Sequence, residues 1–159
     1  MTNNGLSGGF SMHKRILLPT DGSENAEKAG EYAISLADLS GADIIVLNVI
    51  DTYYLAAIPQ PDVRESVDEE LRADVQKAVE RFEEQIEDNK CNGKCQNVNF
   101  KILIKEGKPA DVILKTINEE EIDQVIIGKS GKQGLEKFLL GKTTDKVVKQ
   151  AKVPVNVIS

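Results

Sequence analysis

Short runs of aliphatic and β-branched residues alternate along this chain with longer stretches in which apolar residues recur every three or four positions. The first pattern reads as buried strand and the second as amphipathic helix. Residues 14–19, KRILLP, form the first strand, with Ile16, Leu17 and Leu18 buried. A continuous apolar run suits a central parallel strand covered on both faces, and Pro19 ends it because proline brings no N–H to the ladder. Residues 24–40 predict a helix through Ala26, Ala29, Ala33, Leu36 and Ala37, with Gly41 as its stop. Thr20, Asp21, Gly22 and Ser23 make the turn between them, where Ser23 or Asp21 can cap the helix.

Residues 43–50, DIIVLNVI, are a second buried strand with Asp51 at its carboxyl end. Asn48 is polar inside this run and is expected to face a partner or a ligand cleft. A loop over 52–62 carries Tyr53, Tyr54, Pro59 and Pro61. Residues 63–89 predict a long helix whose stripe is Val67, Leu71, Val75, Val79, Phe82 and Ile86, with Glu80, Arg81, Glu83, Glu84 and Glu87 on a solvated face. Val98, Phe100, Ile102 and Ile104 alternate with Asn99, Lys101 and Leu103, which marks a half-buried edge strand. Pro109 opens a helix over 110–118, with Ile113, Leu114 and Ile117 inward. The acidic Glu119, Glu120 and Glu121 fall at its carboxyl end, against the helix dipole. Val125, Ile126 and Ile127 are a fourth strand. A last helix over 143–151, with Val147 and Val148 inward, precedes a strand over 153–158. Pro154 argues for an edge position there. The order βαβαβαβαβ predicts parallel strands joined by crossover helices, which is an α/β fold.

The length of 159 residues is that of one domain with a substantial core. A net charge of −6 argues against a nucleic-acid partner. No apolar run approaches the length of a membrane span, and residues 1–12, MTNNGLSGGFSM, lack the core of a signal peptide. They are expected to be a disordered arm ahead of a domain over 13–159, in a cytoplasmic protein. Cys91 and Cys95 stand as C-x3-C without a second pair, and the one histidine is the remote His13, so no metal site is expected. The cysteines read as two loop thiols, with a local disulfide as the alternative.

The candidate chemistry lies in residues 123–144, DQVIIGKSGKQGLEKFLLGKTT. A strand stops at Gly128, Gly131 and Gly134 follow, and Gly141 precedes the last helix. Glycines between a strand and a helix allow close backbone approach, and the helix N-terminus offers free N–H donors to an anion such as phosphate. Lys129, Lys132, Lys137, Lys142 and Lys146 gather in or near this stretch, which in an acidic chain points to a small anion. The tripeptide Gly141-Lys142-Thr143 is not a Walker A loop, because Glu136 stands where that motif needs glycine. Nor is G-x-G-x-x-G present. No general base or Ser/His pair accompanies the stretch, so no catalytic residue is assigned.

The spacing Gly128-x2-Gly131-x9-Gly141 resembles the Gly-x2-Gly-x9-Gly-(Ser/Thr) signature of the ATP-binding branch of the universal stress protein family. LLPTDGS (17–23), VLNVID (46–51) and KVPVNVIS (152–159) resemble that family's first, second and last strand ends. The resemblance implies a single-domain, open five-stranded parallel sheet of order 3-2-1-4-5, Rossmann-like, with helices on both faces. The strand order would reverse between strands 1 and 4, beside Gly128. It further implies an ATP site. Asp21 and the backbone around Pro19, Thr20 and Val49 would hold the adenosine. Gly128, Gly131, Gly141, Lys142, Thr143 and Thr144 would hold the phosphates, with Mg2+ bound through them, and Ile127 belongs to the same nucleotide-binding set. A homodimer through residues 153–158 is also implied. One position departs: the family pattern wants Ser or Thr where this chain has Lys142. A dimeric interaction module without nucleotide is the second reading, and a slow ATPase the third.

Overall fold

The computed structural model describes residues 14–131 and 139–159. The expected arm over 1–12 lies outside the described residues, as do His13, Lys132, Gly134 and Lys137. The elements follow as β1 (Arg15–Pro19), α1 (Glu24–Ser40), β2 (Asp43–Asp51), α2 (Thr52–Ala56), α3 (Pro61–Cys91), β3 (Phe100–Gly107), α4 (Pro109–Glu119), β4 (Gln124–Gly128), α5 (Lys142–Gln150) and β5 (Val155–Ile158). All five strands are parallel in the order β3-β2-β1-β4-β5, so the fold is the doubly wound α/β sheet expected from the alternation of patterns.

Each strand divides its side chains between two cores. Ile16, Leu18, Ile44, Val46 and Ile126 meet Ala29, Ala33, Ile34 and Ala37 of α1 and Phe82 of α3. Leu17, Ile45, Leu47, Val125 and Ile127 meet Ala110, Ile113 and Ile117 of α4 and Val147 of α5. The alanines of α1 are almost fully buried, and their small side chains bring the helix close to β1 and β4. Ser23 caps α1 by accepting from the N–H of Ala26 at 3.2 Å, and Gly41 closes it in the left-handed conformation.

Several expectations are corrected by packing. The stretch 52–62 contains a short helix, α2, whose first turn is capped by Asp51 accepting from the N–H of Tyr54 at 2.8 Å. Helix α3 extends two residues beyond the expected 63–89 at each end, and of its residues Ala78, Val79 and Phe82 are buried. Val148 is exposed, because one residue beyond Val147 turns the helix by about 100° away from the core. Pro154 precedes β5 instead of lying inside it, and β5 is an edge strand. The acidic end of α4 is answered by lysines of β3: Lys105 Nζ lies 2.9 Å from Glu119 and Lys101 Nζ 2.9 Å from Glu120. The hydrogen bond from Lys105 holds the Glu119 carboxyl below its usual range. Cys91 is exposed and Cys95 buried, both as free thiols, and burial pushes the Cys95 thiol up.

Asn48 shares the α1/α3 face with Ile44 and Val46, and is 1 % exposed. Neither atom of its amide finds a partner among the described residues. A buried amide without hydrogen bonds costs about 1–3 kcal/mol. Asn48→Leu, nearly equal in shape, is therefore expected to stabilise the chain by about that amount. For a domain of this size the melting temperature would rise about 2–4 °C per kcal/mol. A lower melting temperature for Asn48→Leu would mean that the amide is satisfied by bound water or ligand.

Candidate functional site

The crevice begins where β1 leaves the sheet. β1 pairs with β2 along its whole length, up to Pro19 opposite Leu47. With β4 it pairs only at Ile16–Gln124 and Leu17–Val125, so the two strands part towards their carboxyl ends. This is the point at which the strand order reverses, and open α/β sheets take ligands there. The N–H of Thr20 donates to the carbonyl of Leu47 at 2.9 Å. By strand alternation the N–H and C=O of Val49, two residues on, face the side that β1 vacates. Pro19 is buried and Thr20 half-buried. Asp21 is exposed, and its Oδ1 accepts from the N–H of Ser23 at 2.9 Å.

The opposite wall is the loop after β4. Ile127 and Gly128 are buried at the strand end. A Cβ on Gly128 would lie 2.9 Å from the backbone carbon of Asn25, at the start of α1. A Cβ on Gly131 would collide with Oδ2 of Asp21, so the carboxylate and this glycine are neighbours across the crevice. A Cβ on Gly141 would lie 3.2 Å from the Cα of Ser130. The three spaced glycines thus bring the loop down onto α1, onto Asp21 and onto itself.

Side chains fasten what the glycines permit. Asn25 Nδ2 donates to Ser130 Oγ at 3.0 Å, tying the loop to the first turn of α1. The N–H of Gly141 donates to the carbonyl of Lys129 at 3.0 Å, joining the two arms of the loop. Thr144 is buried, and its hydroxyl donates to the carbonyl of Gly128 at 2.8 Å. The Thr144 hydroxyl therefore ties α5 to β4. Asn25 and Ser130 had no signal in the sequence, since an asparagine after a capping serine and a serine between glycines both read as ordinary turn residues.

Helix α5 begins at Lys142, with Gly141 as an N-cap that has no side chain to offer. Its first helical hydrogen bond runs from the N–H of Asp145 to the carbonyl of Gly141 at 2.8 Å. The N–H groups of Lys142, Thr143 and Thr144 precede that bond at the positive end of the helix dipole. Lys142 is exposed and Thr143 half-buried. Of the other lysines near the loop, Lys129 is half-buried, while Lys146 is engaged with Asp111 at 2.6 Å. That bond holds the Asp111 carboxyl below its usual range. Among the described residues no group of His, Cys, Asp and Glu is assembled to hold a metal. No described helix is long and apolar enough to cross a membrane.

A doubly wound sheet whose order reverses at a glycine-lined crevice, with an uncapped helix N-terminus on one side, defines a Rossmann-like α/β protein. The model of the universal stress protein family matches residues 12–159, nearly the whole chain, and the chain belongs to that family. The universal stress protein MJ0577 of Methanocaldococcus jannaschii is 33% identical over 160 residues, covering 92% of this chain and 95% of its own. Its solved structure superposes with a TM-score of 0.74, over 92% of this chain and 96% of that one. Universal stress protein UspA from Lactobacillus plantarum, 26% identical, gives a TM-score of 0.75 over 92% of this chain and 98% of its own. A universal stress family protein of Arabidopsis thaliana, solved with AMP bound, is 21% identical and shares the fold at a TM-score of 0.59, over 91% of this chain and 90% of its own.

Proposed function

We propose that this chain is an adenine-nucleotide-binding regulatory protein of the stress response, with ATP as its ligand and Mg2+ carried by the phosphates. The observation that carries this reading is the closeness of Gly131 to the Asp21 carboxylate, with the uncapped start of α5 behind it. The backbone N–H and C=O of Val49 suit the edge of the base, beside Pro19 and Thr20. Asp21 suits the ribose hydroxyls. The phosphates then run along Ile127, Gly128, Gly131 and Gly141 to the N–H groups of Lys142, Thr143 and Thr144. The AMP-bound Arabidopsis protein of the same fold supports an adenine nucleotide. Release of bound nucleotide tests the reading: denatured protein is filtered, and the filtrate is analysed by absorbance and chromatography. Adenine nucleotide near one per chain is expected. Its absence, together with no calorimetric heat on adding ATP, would leave the interaction module without nucleotide as the better reading.

The same proposal places the protein in the cytoplasm as a homodimer through the last strand. β5 is a sheet margin, and Val153, Val155 and Val157 near its edge favour pairing with a second copy. Light scattering at micromolar concentration is expected to return twice the chain mass of 17.4 kDa. A single-chain mass would remove the dimer from the proposal.

A further inference from the structure

The opposite margin of the sheet, β3, has an open outer edge among the described residues. The N–H of Ile44 donates to the carbonyl of Asn99 at 3.0 Å, so odd-numbered residues of this segment turn their backbone towards β2. Phe100, Ile102 and Ile104 therefore turn N–H and C=O outward. Their side chains lie on the α1/α3 face, and Ile104 is half exposed. A groove of about 660 Å³ follows this margin, with Ile86, Phe100 and Ile102 as apolar floor and Glu83 and Glu87 of α3 along one side.

The groove has a charge character of its own. Glu83 and Glu87 are exposed and form no ion pair among the described residues. The sequence of α3 holds eleven acidic and five basic residues, so this one helix carries −6, as much as the whole chain. Lys90, at the far end of the groove, is held over the Phe100 ring, 5.4 Å from its centroid. A second copy of this chain set against the same margin by a two-fold axis would bring two such helices together, which like charges oppose.

We propose that the β3 margin receives an extended basic segment of a partner protein, added to the sheet as a sixth strand. Backbone hydrogen bonds to Phe100, Ile102 and Ile104 hold it, as in other cases of strand addition. Lysine or arginine at every second position lays its aliphatic stem on Phe100, Ile102 and Ile86 and carries its charge to Glu83 and Glu87. Residues between them face the α4 side, where Lys101 and Lys105 are already paired, and need no charge.

The probe is a fluorescent ten-residue peptide of alternating lysine and threonine, titrated into the full chain and followed by anisotropy. Saturable binding that weakens with salt is expected. Glu83→Lys/Glu87→Lys, both at exposed positions, is expected to keep the circular dichroism spectrum and weaken the peptide about tenfold or more. The same peptide with every amide N-methylated, so that no N–H is left to face β3, is expected to weaken at least as much. Equal affinity for the charge-reversed variant, equal affinity for the methylated peptide, or no binding of the parent peptide at millimolar concentration would each overturn the proposal.

Discussion

Lys142→Ala is expected to weaken ATP about ten- to a hundredfold while AMP affinity changes little. The lysine is the first residue of α5 and is exposed, directly after an N-cap without a side chain. In the family pattern a small hydroxyl stands here. A lysine cannot copy that geometry, but its ammonium can reach a β- or γ-phosphate as a point charge. A charge-assisted contact of this kind is worth about 1.5–3 kcal/mol, which is the stated loss in affinity. AMP has neither outer phosphate and so registers the change only weakly. Thr143 remains half-buried beside it to supply a hydroxyl, whereas the Thr144 hydroxyl hydrogen is committed to Gly128. Calorimetric titration of ATP and AMP into the parent, Lys142→Ala and Lys142→Ser distinguishes the cases. Tight ATP binding by Lys142→Ser but not by the parent would show that the lysine blocks the phosphate position, and would sink the nucleotide proposal for this chain.

Gly128→Ala is expected to cost about 1–3 kcal/mol of stability, with or without nucleotide. The new methyl would meet Asn25 at three atoms: the backbone carbon at 2.9 Å, and Cβ and the carbonyl oxygen each at 3.0 Å. These belong to the first turn of α1, which is fixed by the Ser23 cap and by burial of Ala26 and Ala29. Either the helix start or the end of β4 must shift, and the Thr144–Gly128 hydrogen bond is strained with it. Gly141→Ala provides the contrast. Its nearest atom is at 3.2 Å on a loop serine, where a few tenths of an ångström suffice, so a smaller loss is expected. Thermal melts of both variants check the order. An unchanged melting temperature for Gly128→Ala, alongside lost ATP binding, would mean that this glycine serves the ligand alone.

That pair of glycines shows what kind of information the sequence holds. Spacing marks Gly128, Gly131 and Gly141 as a set without saying what each one approaches. In three dimensions Gly128 makes room for α1, Gly131 for Asp21 and Gly141 for Ser130, so a motif readable as a ligand signature also has a packing cause.

Strands, helices and their order were legible because their causes are local. A run such as Ile16-Leu17-Leu18 or a stripe such as Ala26, Ala29 and Ala33 records which faces are buried within a few residues of chain. Alternating strands and helices then leave few parallel arrangements, and edge positions follow from the alternation in β3 and the proline before β5. Contacts between residues distant in the chain left no such record. Asn25 reaching Ser130, Lys105 answering Glu119, and Asp21 meeting Gly131 depend on how separate elements are brought together. So does the isolation of the Asn48 amide, which only the full set of neighbours around β2 reveals. Local periodicity reports burial, whereas a hydrogen-bond partner or a forbidden methyl is set by the approach of two surfaces, and that exists only once the sheet and its helices are assembled.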